Sequence, residues 1–307
     1  MEIMQELLNI PSPSHLLNSE LLKNKQLKLW VKRDDLIHKD ISGNKWRKLK
    51  YNIEAAKKQG NNQLLTFGGA FSNHIAATAA AGKMAGIKTI GVIRGNEFSS
   101  LNTTLSFAKE NEMSLHFVSR NEYKRKTEDE FLKMLKDEFG PYFLVPEGGA
   151  NEFGALGCAE ILAEGNEEYD FICCAAGTGT TASGILNALN ENQKLLVFPA
   201  LKGGDGLKSD ILSYFNNANI ESQLQMINDY HFGGYAKIKP DLVDFTNSFY
   251  EAHQLPLDLI YTAKMMYGLY DLIQKDYFPR QSKILFIHSG GLQGNEGFKN
   301  KGIKLIF

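Results

Sequence analysis

The chain has 307 residues, 43% of them hydrophobic, with 34 basic against 35 acidic side chains and a formal charge of −1. That balance gives no broad positive field for nucleic acid or an anionic membrane surface, so any anionic ligand has to be gripped locally. The first thirty residues include Glu6, Glu20 and Lys23 and no apolar run long enough for a leader or a membrane span, which predicts a cytoplasmic protein, and the length suits two lobes.

The first chemistry-bearing residue comes early. Lys45 stands in Ser42-Gly43-Asn44-Lys45-Trp46-Arg47-Lys48-Leu49, near a helix start. Lysines in such places are ordinarily solvated, and Arg47, Lys48 and Lys50 read equally well as a charged helix face. If the amine is desolvated, however, those cations disfavour its protonation, and a free amine is what forms a Schiff base with an aldehyde.

From residue 63 onward, short β-rich runs alternate with helical patterns. Leu64–Phe67 leads to a helix from Ser72, Thr89–Ile93 to one from about Thr103, and Leu115–Val118 to one across Asp129–Phe139. That rhythm predicts βαβ units and a parallel sheet. The first unit contains Phe67-Gly68-Gly69-Ala70-Phe71-Ser72-Asn73-His74. Ser72 or Asn73 can be a plain helix N-cap. Joined to Gly68-Gly69, the same residues make a seat for a substrate carboxylate, with Asn73 free to bond a cofactor hydroxyl and Ser72 a nucleophile or proton carrier.

Val145-Pro146-Glu147-Gly148-Gly149-Ala150 then breaks the periodicity and marks a crossover between lobes. The rhythm resumes with a helix over Gly154–Glu164 and strands at Phe171–Ala175, Leu195–Phe198 and Ile284–His288, which predicts a second sheet. The strand at Phe171 runs into Gly177-Thr178-Gly179-Thr180-Thr181 and a further helix, aiming free N–H groups and the positive helix end at an anion. The plain alternative is a tight turn with threonine caps. Gly177, Gly179 and Ala182 also satisfy the weaker dinucleotide fingerprint, but the next strand ends in Pro199-Ala200-Leu201 rather than in the acidic residue a ribose needs. A phosphate without adenosine fits better, and an amine with a phosphate cradle is what pyridoxal 5'-phosphate requires.

Residues 216 to 239 are polar with few clear periods and read as loop-rich, with no element assigned. The late strand ends in His288-Ser289-Gly290-Gly291, and because ligands bind beyond the carboxyl ends of strands, that turn shares one expected cleft with Gly68-Gly69 and Gly177–Thr181. His288 reads as a structural histidine. Cys158, Cys173 and Cys174 have neither CxxC nor zinc spacing and read as buried small hydrophobes, so neither disulfide nor metal is expected. The chain has no Walker A lysine motif, no Gly-x-Ser-x-Gly elbow and no His-Glu-x-x-His site.

Taken in order, Gly43-Asn44-Lys45-x-Arg47-Lys48-Leu49, Gly68-Gly69-x-x-Ser72-Asn73-His74, Gly177-Thr178-Gly179-Thr180 and His288-Ser289-Gly290-Gly291 resemble the 1-aminocyclopropane-1-carboxylate deaminase/D-cysteine desulfhydrase family of tryptophan-synthase-β-like, fold type II pyridoxal phosphate enzymes. The resemblance implies an α/β fold of two open, twisted, mostly parallel sheets flanked by helices, with the cofactor cleft between them. It implies a large cofactor lobe of residues 1–49 and 154–307, a smaller lobe of 50–153 inserted into it, and a homodimer. By motif, Lys45 is the Schiff-base lysine, Ser72 the active-site serine, Asn73 the neighbour of the cofactor's 3-hydroxyl and Gly177 to Thr181 the phosphate loop. Gly68, Gly69, Ser72, Asn73 and His74 surround the substrate. Gly234-Tyr235 and Ile260-Tyr261-Thr262 resemble the two active-site tyrosine segments.

The family's two activities differ around the cofactor ring: the deaminase type carries glutamate after the second tyrosine and leucine after the late histidine, the desulfhydrase type hydroxyl residues at both places. Here Thr262 follows Tyr261 and Ser289 follows His288, so the chain resembles a desulfhydrase. The expected reaction is β-elimination of D-cysteine to pyruvate, ammonia and hydrogen sulfide. The alternatives are opening of 1-aminocyclopropane-1-carboxylate to 2-oxobutanoate and ammonia, and a silent binder of the cofactor or an amino acid. Two departures bear on substrate choice: Ile75-Ala76-Ala77 stand where the family has a residue and then Arg-Gln, and Trp46 follows the lysine where threonine is usual.

Overall fold

Two strands near the start of the chain, β1 (Ser14–Leu17) and β2 (Lys28–Lys32), pair antiparallel. The computed structural model describes residues 6–96, 101–165, 168–203, 205–214 and 220–307. β3 (Gln63–Gly69), β4 (Lys88–Arg94), β5 (Ser114–Val118) and β6 (Phe143–Val145) form an all-parallel sheet in the order β5-β4-β3-β6. β7 (Phe171–Ala176), β8 (Lys194–Pro199), β9 (Leu224–Met226) and β10 (Lys283–Ile287) join the first pair in a six-stranded sheet ordered β1-β2-β10-β7-β8-β9, parallel except between β1 and β2. Helices flank both sheets, as the alternating pattern requires. Apolar side chains of β7 therefore bury on both faces: Cys173 and Ala175 enter one core, Ile172, Cys174 and Ala176 the other.

The stretch 216–239, loop-rich with no element assigned from sequence, carries a short strand. Residues 216–219 lie outside the described residues, but Leu224–Met226 adds β9 to the edge of the larger sheet beside β8. Three residues with only Leu224 buried are too few to show an alternation.

The helix Asn44–Lys58 packs against the helix Glu152–Ala163 at very close range. Glycine is required at Gly157, because a Cβ there would stand 1.9 Å from the Arg47 carbonyl oxygen. Beside this contact Arg47, 1% exposed, donates to Asp34 Oδ1 at 2.9 Å and Glu164 Oε2 at 2.8 Å. Lys32 Nζ bonds the same Glu164 oxygen at 3.0 Å, and Ser12 Oγ donates to Asp34 Oδ1 at 2.6 Å. Burial alone would raise the Glu164 carboxyl, but hydrogen bonds and charge from Arg47, aided by Lys32 and the Ser12 N–H, hold it down at about 2.

Candidate active site

The helix carrying Lys45 starts under an unusual constraint. Gly43, its N-cap, has φ 67°, and a Cβ there would stand 1.9 Å from the Ser289 carbonyl oxygen. Only glycine permits that approach, so the helix start is pressed onto the turn after β10. The Asn44 N–H donates to the Ser289 carbonyl at 3.2 Å, and the Asn44 side chain links two groups: Nδ2 donates to Thr181 Oγ1 at 2.8 Å and Oδ1 accepts from Lys45 Nζ at 2.7 Å. Burial, followed by the like charge of Lys48, lowers the Lys45 amine to about 7. Lys48 is also lowered by burial and donates to the Gly148 carbonyl at 3.0 Å.

Gly177-Thr178-Gly179 leave the end of β7 and lead into the helix Thr180–Asn187. Gly179 is its N-cap at φ 79° and provides no side chain to bond the first-turn N–H groups, which stay available to an anion. Thr178 and Thr180 share a hydroxyl contact of 3.1 Å.

Across the cavity, Ser72 caps the helix Asn73–Ala85, its Oγ accepting from the Ile75 N–H at 3.3 Å. Asn73 Oδ1 is buried without a hydrogen-bond partner. His74 Nε2 meets Thr66 Oγ1 at 2.9 Å, and that hydroxyl donates to the Val145 carbonyl at 2.7 Å. A hydroxyl has one hydrogen to give, so His74 carries its proton on Nε2. Burial, then Lys45 and Lys48, push its pKa well below the ordinary histidine value, and the ring is neutral.

Tyr261 and Tyr235 face each other with ring centroids 6.2 Å apart. A Cβ on Gly177 would lie 3.2 Å from the Tyr261 hydroxyl, which places that hydroxyl directly over the anion-facing turn. Burial, then the charge of Tyr235, raises Tyr261 well above the usual phenol range. The loop bearing Tyr235 is anchored by Lys264 Nζ, which donates to the Gly234 carbonyl at 2.8 Å. At the end of β10, His288 Nε2 contacts the Pro256 carbonyl at 2.7 Å, and Nδ1 accepts from the Gly290 N–H at 3.3 Å, which holds the turn bearing Ser289.

One cavity of about 610 Å³ gathers Lys45, Gly69, Ser72, Asn73, His74, Gly177, Thr178, Gly179, Thr181, Tyr235, Tyr261 and Ser289 along its walls. Gly68, Thr180 and Thr262 stand behind that wall. A Cβ at Gly68 would meet Ile75 and Ser72, and the Thr262 hydroxyl donates to Asp258 Oδ2 at 2.7 Å. Asn44, Lys48, Phe71, Arg94, Glu147 and Leu201 also line the cavity and were not singled out by the sequence reading as wall residues. Arg94 had a usable signal, because it ends β4 on the side where ligands of parallel sheets bind. For Glu147 no sequence signal exists beyond its place in the crossover.

A family model described as pyridoxal-phosphate dependent enzyme matches residues 8–290. The chain is 31% identical to a Pyrococcus horikoshii protein provisionally named a 1-aminocyclopropane-1-carboxylate deaminase, over 91% of this chain and 89% of that protein. It is 30% identical to the Arabidopsis thaliana bifunctional D-cysteine desulfhydrase/1-aminocyclopropane-1-carboxylate deaminase, over 94% and 78% respectively. A solved structure of an ACC deaminase homologue superposes with a TM-score of 0.83 at 28% identity, covering 97% of this chain and 95% of the other.

Proposed function

This chain belongs to the pyridoxal-phosphate dependent enzyme family, in its 1-aminocyclopropane-1-carboxylate deaminase/D-cysteine desulfhydrase branch, and on that premise we propose that it catalyses β-elimination on a small D-amino acid, D-cysteine first among them. The residues present fit the cofactor. Lys45 offers an amine of lowered basicity for its aldehyde, the uncapped first turn of the helix Thr180–Asn187 offers N–H groups for its phosphate, and the buried Asn73 Oδ1 lacks the partner that a ring hydroxyl would supply.

The observation that carries the choice of reaction lies around Asp258. Its carboxylate accepts from the N–H groups of Ile260, Tyr261 and Thr262 and from the Thr262 hydroxyl, so Asp258 and Thr262 are committed to each other. The late turn brings Ser289 to the cavity wall, where Glu147 is the one carboxylate among the described lining residues. A hydroxyl does not hold a pyridine nitrogen protonated, and the weaker sink suits loss of a good leaving group such as thiolate.

Bound pyridoxal phosphate supplies an electron sink for the pair released at Cα. Ser72, Asn73 and the Gly69 turn hold the substrate carboxylate, and Lys45 Nζ, or Ser72 Oγ in its place, takes the α-proton. The Cβ–S bond breaks with its pair on sulfur. Tyr261, whose raised pKa keeps its proton in place, or Tyr235 beside it hands that proton to the departing sulfur. The three-carbon fragment ends as pyruvate and ammonia after hydrolysis.

The second reading, opening of 1-aminocyclopropane-1-carboxylate, draws on relatives named for that activity, and the Arabidopsis thaliana relative carries both names. Assays of both substrates side by side separate the two: sulfide and pyruvate from D-cysteine are expected, and 2-oxobutanoate from the cyclopropane without any sulfide would reverse the preference. No turnover of any β-substituted amino acid would leave a silent binder. A second expectation concerns pH. The Lys45 amine is protonated below about 7 and free above it, so capture of pyridoxal phosphate by the apoprotein should quicken about tenfold per pH unit up to that point and then level off. Growth of visible absorbance after mixing, followed from acid to alkaline buffer, reports this; a rate still climbing at about pH 9 would return Lys45 to ordinary basicity.

The division into a lobe of residues 1–49 and 154–307 and an inserted lobe of 50–153 belongs to the same proposal. Its support is the distribution of strands, with β3 to β6 in one sheet and the others in the second. The boundary at 49 falls inside the helix Asn44–Lys58. A homodimer and a cytoplasmic location rest on the sequence reading. Among the described residues no helix is long and apolar enough to cross a membrane.

A further inference from the structure

The cavity holding Lys45 adjoins a second one of about 1020 Å³, and Gly69, Ala70, Arg94 and Glu147 line both. The second cavity is strongly cationic for a chain of net charge −1: Arg94, Arg120, Lys124 and Lys126 face a single carboxylate, Glu147. Glu147 is engaged by Lys126 at 3.4 Å. Among the described residues Arg94, Arg120 and Lys124 have no carboxylate within 4.0 Å. Arg94 is held in place from one side by the Tyr123 ring, 5.5 Å from the guanidinium, and Lys126 stands 5.2 Å from the same ring. A Cβ on Gly69 would lie 3.5 Å from Arg94 Nη2, so the guanidinium borders the junction of the two cavities.

Free D-cysteine has no group for these cations, since its carboxylate is taken up at the Ser72 side and its sulfur leaves as a small neutral species. We propose that the cavity beyond Arg94 is a subsite for an anionic β-substituent, so that amino acids whose leaving group ends in a sulfonate, carboxylate or phosphate are substrates alongside D-cysteine. The substrate class rests on the elimination reading given above; the anion subsite itself does not. With a cysteine S-sulfonate, the α-proton goes to Lys45 Nζ, the Cα–H pair forms the Cα=Cβ bond, and the Cβ–S bond breaks with its electrons on sulfur. Thiosulfate leaves as a dianion beside Arg94, with no oxidant or reductant consumed. Arg94 meets charge that grows on the leaving group, which favours the transition state over the bound substrate.

Homocysteate has the chain length of cysteine S-sulfonate but no β-leaving group, and norvaline is its uncharged counterpart. Calorimetric titration of both, as D and L forms, into the cofactor-loaded enzyme should give homocysteate of the preferred hand about tenfold tighter binding than norvaline, a gap that narrows with added salt. Arg94→Gln should close most of the gap, and Arg120→Gln part of it. Equal affinities in the unaltered enzyme would overturn the subsite. So would an Arg94→Gln variant that weakens both ligands alike, because Arg94 would then be holding the α-carboxylate. Retention of the gap without thiosulfate release from cysteine S-sulfonate or sulfide from D-cysteine would sink the elimination reading and leave the subsite standing.

Discussion

Lys45→Ala should lower turnover by about 10³-fold or more and remove the visible band of the bound cofactor, while Lys48→Ala keeps that band. Both lysines sit on one helix and line one cavity, and both are lowered in pKa by burial. Their partners differ. Lys48 spends its ammonium on the Gly148 carbonyl, whereas Lys45 bonds Asn44, whose other end is fixed to Thr181 in the anion-facing turn. If the turn at Thr181 holds the cofactor phosphate as proposed, the amine that Asn44 ties to it is the one placed to receive the aldehyde. Absorption spectra of the two variants decide it: a band that survives in Lys45→Ala and vanishes in Lys48→Ala would move the covalent site by one turn.

Arg47→Leu should cost about 3–5 kcal/mol of stability and lower the thermal midpoint by about 10 °C, because it leaves two carboxylates without their shared cation. Asp34 is fully buried and Glu164 partly so, with its side chain 13% exposed, and Lys32 reaches only Glu164. The acid response follows from the same cluster. The Glu164 carboxyl titrates at about 2 in the folded chain against 4.5 in the unfolded one. Its contribution is therefore complete above 4.5 and disappears as pH falls toward 2. Denaturation followed at neutral and acid pH should show Arg47→Leu far below the parent protein at pH 7 and close to it at the acid end. A constant difference between the two across pH would assign the loss to packing of the Arg47 stem instead.

How much was legible in the chain follows from which signals are local. Strands such as Phe171–Ala176 are uninterrupted apolar runs and announce themselves, and the helix Asp129–Phe139 has the predicted bounds. β2 carries no strong local signal because lysines flank its short apolar center, and Lys32 is buried on Glu164 far along the chain. β6 and β9 have three residues each, too few for any period. The site divides in the same way. Glycine-rich turns at strand ends were visible at Gly68, Gly177 and Gly290, and all three turns reach one cavity. The pairing of Asn44 with Thr181 and of Thr262 with Asp258, and the gathering of cations past Arg94, depend on which elements the topology brings together.

The strand order also bears on how the chain matures on the ribosome. β10, the last strand to be synthesised, occupies an inner position between β2 and β7, so the larger sheet stays split until nearly the whole polypeptide has emerged. β3 to β6 come from one contiguous stretch and need no partner from outside it, so that sheet can close while translation continues. Lys45 is made early, yet the start of its helix waits for Ser289 and Gly290 to be held in place, so if Lys45 is the anchoring amine, vitamin loading is expected among the final events of biogenesis.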